Sequence, residues 1–361
     1  MAVTEPAVMA ALKTVNDPEL HKDIVTLGMV KDLRIDGTKV ALQVELTTPA
    51  CPLKDQIEAD VRRALGTVDG IGDIQLTFGA RVRANSSAGP QGDLLPKVKN
   101  VVLVGAGKGG VGKSTVALNM AISLARCGAK VGLLDADFYG PSVPIMTGLS
   151  QAQPKSKDGK ILQPLEAFGL KIMSIGFLVE PDQALVWRGP MLHGALIQLL
   201  RDVEWGELDY LVLDLPPGTG DIPLSLAQAV KSAGVVLVST PQDVALSDVL
   251  KAKIMFDKVN IPILGLVENM STFVCPHCFK ETPIFATGGA ERAAGAMAIP
   301  FLGKVPLDLA IREGGDAGTP ISAVLPLSPQ SVALMDVAKR VAGQISARSE
   351  ATKLPILKTG T

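Results

Sequence analysis

The sequence predicts an α/β protein, with a doubly wound and mainly parallel sheet preceded by a small α+β domain. Short apolar runs alternate with helical stretches after residue 98, and this alternation is typical of such a sheet. Hydrophobic residues make up 47% of the 361 residues but aromatic residues only 4%, so aliphatic side chains must fill the core. That composition suits buried parallel strands covered by helices.

The first predicted domain, residues 1–84, mixes helical and strand patterns. Residues 5–15 and 53–65 have the apolar spacing of helices. Residues 40–46 alternate between apolar and polar positions, and residues 74–78 follow as another strand. These elements predict a small α+β unit.

Two polar stretches bound the second predicted domain, residues 98–347. Residues 85–97 are rich in Ser, Gly and Pro and predict a linker, whereas residues 348–361 predict a flexible tail. Between them lie the apolar strand runs, which are Val101–Val104, Val131–Leu134, Leu211–Leu213, Val235–Val238 and Ile263–Val267. Sheets of this kind bind ligands at the carboxyl ends of their strands.

Charge and cysteine content narrow the class of protein. The chain has 35 Lys and Arg residues against 36 Asp and Glu residues, so no overall field attracts nucleic acid or anionic lipid. Its N-terminus lacks a basic leader, and no apolar run reaches the roughly 18 residues of a membrane span. Four cysteines make a poor disulfide framework. We therefore expect a cytoplasmic protein without nucleic-acid or membrane partners.

A phosphate-binding loop is predicted at residues 107–114, between the strand at 101–105 and a helix at 111–127. The segment matches G-x-x-x-x-G-K-[ST], in which backbone N–H groups and the helix N-terminus bind phosphate. Lys113 would neutralise the β- and γ-phosphates, and Ser114 would bind Mg²⁺. The alternative is a glycine-rich turn without a ligand, which the flanking strand and helix disfavour.

We predict a different role for Lys108, the second lysine of this loop. It lies on the opposite arm of the loop from Lys113 and cannot share the same phosphate cradle. Its ammonium group can instead cross a dimer interface and meet the γ-phosphate bound by a second subunit, as an arginine finger does. The alternative is a solvated surface lysine.

Carboxylates follow two of the predicted strands. Asp135 and Asp137 end one strand, and Asp214 ends another. We expect Asp137 to orient or deprotonate the attacking water, and Asp135 and Asp214 to support Mg²⁺. The N–H of Gly218 can sense the γ-phosphate. Any one of these acids can be a helix cap, but three beside a phosphate loop favour catalysis.

Cys275 and Cys278 are close enough in sequence to share one metal centre. A thioredoxin-like redox motif would begin a helix, whereas this pair follows a strand-like run. A closed zinc site needs four ligands, and His277 between the cysteines is poorly placed to be one. Pairing with the same cysteines of a second subunit supplies four thiolates, which suits a [4Fe–4S] cluster. Zinc in that shared site, and two cysteines without a ligand, stay open as alternatives.

The sequence says less about the roles of the other two cysteines. Cys127 lies on the helix after the phosphate loop and is most simply a small buried residue. Cys51 lies at a turn before a helix, where the helix dipole favours a thiolate, so both a functional and a structural role are open.

Taken together, these motifs resemble those of the deviant Walker ATPases, and more narrowly of the Mrp-type iron–sulfur cluster carriers. The resemblance covers residues 99–341 and rests on the segments 107–115, 135–137, 214–221, 268–271 and 275–278. Residues 1–82 resemble the small domain often fused to the N-terminus of bacterial members and found in other cluster-assembly factors.

The resemblance implies a homodimer that binds ATP with Mg²⁺, hydrolyses it slowly, and holds a [4Fe–4S] cluster at the subunit interface. Apo iron–sulfur proteins would receive the cluster, and cluster scaffold proteins would be further partners. The predicted catalytic residues are Lys108, Lys113 and Asp137. The predicted nucleotide-binding residues are Gly107, Lys108, Gly109, Gly110, Val111, Gly112, Lys113, Ser114, Thr115, Asp214, Gly218 and, as an adenine contact, Asn269. The predicted metal ligands are Ser114, Asp135 and Asp214 for Mg²⁺ and Cys275 and Cys278 for the cluster.

The sequence departs from the family pattern beside the cysteines. Family members usually have a glycine after the pair and then a run of three glycines, whereas this chain has Phe279 and Gly288-Gly289-Ala290. The ligands are retained, but the local loop geometry is in doubt.

Three other functions compete with the carrier. A positioning ATPase of the MinD or ParA kind would share the phosphate site, but it needs a basic amphipathic C-terminal helix or a basic patch. Residues 346–361 contain only three Lys or Arg residues, and Pro355 interrupts them. An electron donor like the nitrogenase iron protein has its two ligands per chain far apart in sequence. A zinc-bridged regulatory ATPase is the third.

Overall fold

The computed structural model describes residues 3–18, 20–84, 94–156, 159–178, 189–220, 224–225, 229–275, 277–278 and 280–351. Several predictions concern positions outside this set: most of the linker (85–93), most of the tail (352–361), Asp221 and Phe279. Within the described part of the chain, no helix is both long and apolar enough to cross a membrane. The chain divides into two compact units, Met1–Arg83 with Ala342–Thr361, and Ala84–Val341.

The first unit contains the small α+β arrangement expected from its sequence. Its helices are α1 (Glu5–Leu12) and α2 (Lys54–Leu65), and its strands are β1 (Asn16–Asp17), β2 (Lys22–Asp23), β3 (Val30–Asp36), β4 (Lys39–Leu46) and β5 (Asp73–Ala80). β4 is the central strand of a three-stranded sheet, antiparallel to β3 and parallel to β5. Ile57, Val61 and Leu65 are fully buried because their spacing places them on one face of α2.

The second unit contains the larger sheet. Its strands are β6 (Val98–Gly105), β7 (Val131–Asp135), β8 (Leu165–Ala167), β9 (Leu170–Ser174), β10 (Leu208–Asp214), β11 (Ser232–Ser239), β12 (Ile263–Val274), β13 (Glu281–Thr282) and β14 (Phe301–Leu307). Its helices are α3 (Lys113–Arg126), α4 (Val143–Met146), α5 (Gly189–Arg201), α6 (Asp243–Lys258), α7 (Gly289–Ala296), α8 (Leu309–Asp316), α9 (Ile321–Val324) and the start of α10 (Pro329–Ala351). α10 continues through the first four residues of the predicted tail.

This sheet is mainly parallel, as the sequence predicts. Its order is β13-β12-β11-β6-β10-β7-β9-β8, with β14 beside β12, and only the β12–β13 and β8–β9 pairs are antiparallel. All residues of β7 and β11 are buried, which is the continuous apolar pattern of strands covered on both faces. The predicted strand runs all lie within observed strands, which extend a few residues further.

Strand register brings three polar side chains to one edge of the sheet. Asp214 at the end of β10 pairs with Asp135 at the end of β7, and Asp135 pairs with Ser174 at the end of β9. β6 lies on the other side of β10 and leads into the glycine-rich loop. The strand ends of four elements thus form one site.

Candidate functional site

The glycine-rich loop at residues 107–114 leads from β6 into α3. Gly110 and Gly112 have φ angles of +79° and +80°, which glycine adopts without strain. A side chain at Gly107 would overlap the backbone of Asp248 in α6, so this arm of the loop packs directly on that helix. The loop thus has the backbone turns that glycine permits, and it leads into the N-terminus of α3, whose first N–H groups have no partner within the helix.

Lys113 lies at the centre of a buried polar cluster that contains two of the predicted carboxylates. Its ammonium group donates to Asp214 Oδ1 at 2.6 Å and to Ser114 Oγ at 3.2 Å. It lies 3.8 Å from Asp137 Oδ2. Asp214 Oδ2 is buried and has no hydrogen-bond partner within the described part of the chain. The structure thus brings together four of the predicted site residues, with one carboxylate oxygen left to bind a ligand.

Asp135 lies beside this cluster but has other partners. Its Oδ1 accepts from the Asp137 N–H at 3.1 Å, and its Oδ2 accepts from the Val143 N–H at 3.1 Å and the Ser174 hydroxyl at 3.0 Å. Burial, followed by the nearby charge of Asp214, raises the pKa of Asp135 to about 7. Burial also raises the pKa of Asp137. Both oxygens of Asp135 thus accept from protein groups and join the strand ends to the loop that follows, and its predicted support of Mg²⁺ stays a prediction.

Lys108 and Gly218 lie in loops beside the buried cluster. Lys108 is half-exposed and forms no hydrogen bond or ion pair with any described residue. The N–H of Gly218, predicted to sense the γ-phosphate, donates to Ala106 O at 3.0 Å. A phosphate contact would have to replace that bond, so the predicted sensing role requires the Gly218 loop to move.

Asn269 lies on β12 next to the phosphate loop. Its side-chain amide is buried and donates to Val111 O at 2.9 Å. It also lines a cavity of about 360 Å³, together with Thr115, Met270 and Arg312. This volume is in the range of small-molecule sites, and the cavity opens directly beside the loop. The arrangement offers room for a nucleobase where the sequence predicts an adenine contact.

The predicted cysteine pair lies in the turn of a β-hairpin formed by β12 and β13. The Cys275 N–H donates to Lys280 O at 3.1 Å and closes the turn. Cys275 is half-buried and Cys278 is exposed. The N–H groups of Cys278 and His277, and then the Cys278 thiol, lower the pKa of Cys275. This favours the thiolate, which is the form that binds metal.

The hairpin offers only part of a metal site. Across the ranges that the structure describes, no three His, Cys, Asp or Glu side chains are grouped to hold a metal ion. A four-thiolate centre therefore needs two further ligands from outside this group. The pair also follows a strand and does not begin a helix, unlike a thioredoxin-type redox motif.

Glu268 fixes the local geometry of the altered glycine run, Gly288-Gly289-Ala290. Its two carboxylate oxygens accept from the Gly288 and Ala290 N–H groups, both at 2.9 Å, and the side chain is fully buried. Gly288 has a φ of +74°, and a side chain at Gly289 would overlap the carbonyl of Pro241. Ala290 lies in the first turn of α7, where its methyl group is buried. The two positions that need glycine keep it, and the third does not need it.

The remaining cysteines differ in burial: Cys51 is buried, whereas Cys127, predicted to be a small buried residue, is only half-buried. Cys51 is buried in the core of the first unit, three residues before α2 begins. The Cys127 sulfur is 3.4 Å from the sulfur of Met335. Neither contact gives a chemical role, so the functional role considered for Cys51 stays a prediction.

Two residues of this site have no role in the sequence prediction. Ser174 carries a weak signal, because it is a polar residue ending an apolar run, as Asp135 and Asp214 do. Glu268 belongs to a segment that carries the family resemblance. Its carboxylate, however, accepts from the N–H groups of Gly288 and Ala290 at the start of α7, which lie 20 and 22 positions later in the chain.

Two family models match the chain. Residues 97–342 match the model described as NUBPL iron-transfer P-loop NTPase. Residues 5–77 match the model described as iron–sulfur cluster assembly protein. The first match covers more than half of the chain and contains both the phosphate loop and the cysteine hairpin.

Relatives of the chain cover nearly its whole length. An iron–sulfur cluster carrier protein of Deinococcus radiodurans is 52% identical over 354 residues, which cover 97% of this chain and 99% of the relative. The iron–sulfur cluster carrier protein of Escherichia coli strain K12 is 43% identical over 345 residues, covering 94% and 91%. A mitochondrial iron–sulfur protein required for NADH dehydrogenase, from Arabidopsis thaliana, is 52% identical over 245 residues, covering 68% and 78%.

A solved structure supports the nucleotide site. The nucleotide-binding protein of Archaeoglobus fulgidus, determined in complex with ADP, is 40% identical to this chain. It superposes with a TM-score of 0.57 and covers 65% of this chain and 91% of its own.

Proposed function

The chain belongs to the family of NUBPL iron-transfer P-loop NTPases, and on that premise we propose that it is an ATP-hydrolysing carrier of [4Fe–4S] clusters. One observation carries this proposal: β12 contributes to both sites. It bears Asn269, which contacts the phosphate loop, and leads at its end into the hairpin with Cys275 and Cys278. A nucleotide site and an accessible cysteine pair joined by one strand are what a nucleotide-dependent carrier requires.

The proposed nucleotide site uses the loop, the buried cluster and the cavity. The loop backbone and Lys113 bind the phosphates, and the cavity beside Asn269 takes the adenine. The residues fit Mg²⁺, because Asp214 keeps one buried oxygen without a hydrogen-bond partner among the described residues, and its other oxygen shares the Lys113 ammonium group with the Ser114 hydroxyl. Magnesium bound there would neutralise charge on the β- and γ-phosphate oxygens. Asp135 supports this site indirectly, through the backbone it fixes.

Hydrolysis is proposed to depend on three side chains. Asp137 orients the attacking water, since it lies at the edge of the cluster with a carboxylate oxygen 3.8 Å from Lys113. Lys113 exchanges its bond to Asp214 for the phosphates when nucleotide binds. Lys108, which has no partner among the described residues, supplies its charge to the site of a second subunit.

The cluster is the cargo, and the cysteine hairpin is its proposed holder. One chain supplies two thiolates, of which Cys275 is favoured by the N–H groups around it. Two hairpins related by a two-fold axis supply four, which satisfies a [4Fe–4S] cluster. Because Cys278 is exposed, such a cluster remains accessible to apo iron–sulfur proteins and to cluster scaffold proteins. A cytosolic setting belongs to the same proposal, since reducing conditions keep these thiols reduced.

Anaerobic reconstitution tests the carrier function. The wild-type protein should bind about four iron and four sulfide ions per two chains, with the brown absorbance of the cluster. Cys275→Ala and Cys278→Ala should each lose the cluster and keep ATP binding. Cys127→Ala is the matched control and should keep both.

Two outcomes would count against the proposal, and a third would invalidate the assay. Full cluster content in either hairpin variant would remove the cysteine assignment. Zinc in place of iron and sulfide in protein purified without oxygen would favour the zinc-bridged regulatory ATPase. Loss of the cluster in the Cys127→Ala control would show that the assay reports folding and not ligation.

A further inference from the structure

Ser174 lies at the end of β9, directly beside Asp135 in the sheet register. It is fully buried, and its hydroxyl donates to Asp135 Oδ2 at 3.0 Å. The same hydroxyl accepts from the Gly176 N–H at 3.0 Å. The hydroxyl proton is donated to the Asp135 carboxylate, and the hydroxyl oxygen accepts from the turn. The hydroxyl therefore has one defined orientation.

The carboxylate that Ser174 holds fixes both ends of the loop between β7 and α4. Asp135 Oδ1 accepts from the N–H of Asp137 near the start of this loop, and Oδ2 accepts from the N–H of Val143 at its end. The Asp137 side chain accepts in turn from the Tyr139 N–H at 3.3 Å. Asp135 therefore fixes the backbone of the loop at Asp137, and the Asp137 carboxylate is in turn held to that loop by the Tyr139 N–H.

The turn at Ser174–Gly176 also lies close to Pro141, which is in the same loop, and to Pro144, which is in the first turn of α4. A methyl group added at Gly176 would lie 3.0 Å from Pro144 and 3.1 Å from Pro141. Proline rings are rigid, and such distances are shorter than ordinary van der Waals contact. The turn at Ser174–Gly176 thus supports the loop by a hydrogen bond on one side and by packing on the other.

We propose that Ser174 is a positioning residue for ATP hydrolysis, which orients Asp135 and thereby holds the Asp137 loop in its catalytic position. Ser174 does not contact the nucleotide in this account. The inference rests on the proposed role of Asp137 and adds to it the element that keeps this carboxylate in place. Small displacements of a catalytic group have large effects on rate, so the loss of one buried hydroxyl should be measurable.

The test compares Ser174→Ala with Ser123→Ala in the full-length protein. Ser123 is a good control because it is equally buried and its hydroxyl has no partner among the described residues. Ser174→Ala should lower kcat by about 10-fold while KM for ATP and ATP affinity change less than about 2-fold. Ser123→Ala should leave all three unchanged. Hydrogen exchange should rise in a peptide covering residues 136–143 in the first variant only.

A second variant perturbs the loop without removing a hydrogen bond. Gly176→Ala has an acceptable backbone conformation but pushes on Pro141 and Pro144. It should give the same kcat-selective loss, and it keeps the test decisive if Ser174→Ala does not fold. Unchanged kcat in a folded Ser174→Ala protein, or an equal change in kcat and ATP affinity, would overturn the positioning role.

Variants of Asp137 separate this inference from the proposed function. Asp137→Ala should lower kcat by roughly 10²-fold, and adding Ser174→Ala should lower it less than about 2-fold further, because no carboxylate remains to be positioned. If Asp137→Ala leaves kcat unchanged, the catalytic assignment of Asp137 fails. If only the Ser174 and Gly176 variants are without effect, the assignment stands and the positioning inference fails.

Discussion

The nucleotide site and the cysteine hairpin are built in opposite ways. In the nucleotide site, Lys113, Asp135 and Asp214 are almost completely buried, and each is bonded to another part of the chain. In the hairpin, Cys278 is exposed, and the Cys275 thiol receives hydrogen bonds from the N–H groups of His277 and Cys278 in the same turn. A site that does chemistry needs fixed groups, whereas a site that releases cargo needs accessible ones.

The two sites also differ in how many of the residues they need are supplied by one chain. The proposed nucleotide site has its cavity, glycine-rich loop and carboxylates within the second unit, and the proposal adds only Lys108 from a partner. The hairpin has two of the four thiolates that a cluster needs. We therefore expect the two sites to respond differently to mutation.

The largest effect is expected for Lys113→Ala. Hydrolysis should fall by at least ~10²-fold, because the charge that neutralises the transferring phosphate is removed. Cluster content after reconstitution should stay at the wild-type level, since Lys113 does not contact the hairpin. Measured turnover above a tenth of wild type would refute the assigned role, and parallel loss of cluster would show that the two sites are not separate.

Lys108→Ala should keep ATP affinity and lose hydrolysis, and mixing tests whether it acts in trans. In mixed dimers of Lys108→Ala and Lys113→Ala chains, one of the two sites has its own Lys113 and receives Lys108 from the partner. Exchange of the two inactive proteins should therefore restore about a quarter of wild-type turnover. No recovery, with exchange verified by mass, would argue for a role in cis.

A smaller effect is expected for Asn269→Ala. Its loss removes a hydrogen bond to Val111 O and one wall of the proposed base cavity, so KM for ATP should rise by about 10-fold. The effect on kcat should be weaker, because the base is remote from the reacting phosphate. Calorimetry with ATP and with inorganic triphosphate separates the two parts of the site: only ATP should bind more weakly.

The smallest effect on ATP turnover is expected for Glu268→Gln, which should instead lower the stability of the fold. The buried carboxylate accepts two backbone N–H groups, and an amide can satisfy only one of them, so unfolding free energy should fall by about 1–3 kcal/mol. Glu291→Gln is the control, since this exposed residue forms an ion pair with Lys304 at the surface. Denaturant titration should show a loss in the first variant alone. Equal loss in both would contradict the capping role.

The sequence was sufficient for features whose cause is local. The glycine-rich loop was predicted because its glycines let backbone N–H groups turn toward phosphate, and Asp135 and Asp214 were predicted because each directly follows an apolar run. The cysteine pair was predicted from its spacing. In each case the deciding residues lie within a few positions of one another.

Other features depend on which strands become neighbours, and the sequence does not state this. The bond from Lys113 to Asp214 joins residues 101 positions apart, and the contact of Ser174 with Asp135 depends on the register of β7 and β9. The base cavity collects residues from separate segments of the second unit. The two-residue strand β13, which makes the cysteine segment a hairpin, is too short to leave a pattern.

Native mass spectrometry of the reconstituted protein tests most directly whether one cluster is held by two chains. The measured mass should be that of two chains plus a single [4Fe–4S] cluster, and Cys278→Ala should give chains without iron. A cluster retained on a single chain, or a two-chain species that carries only zinc, would contradict the shared-ligand carrier.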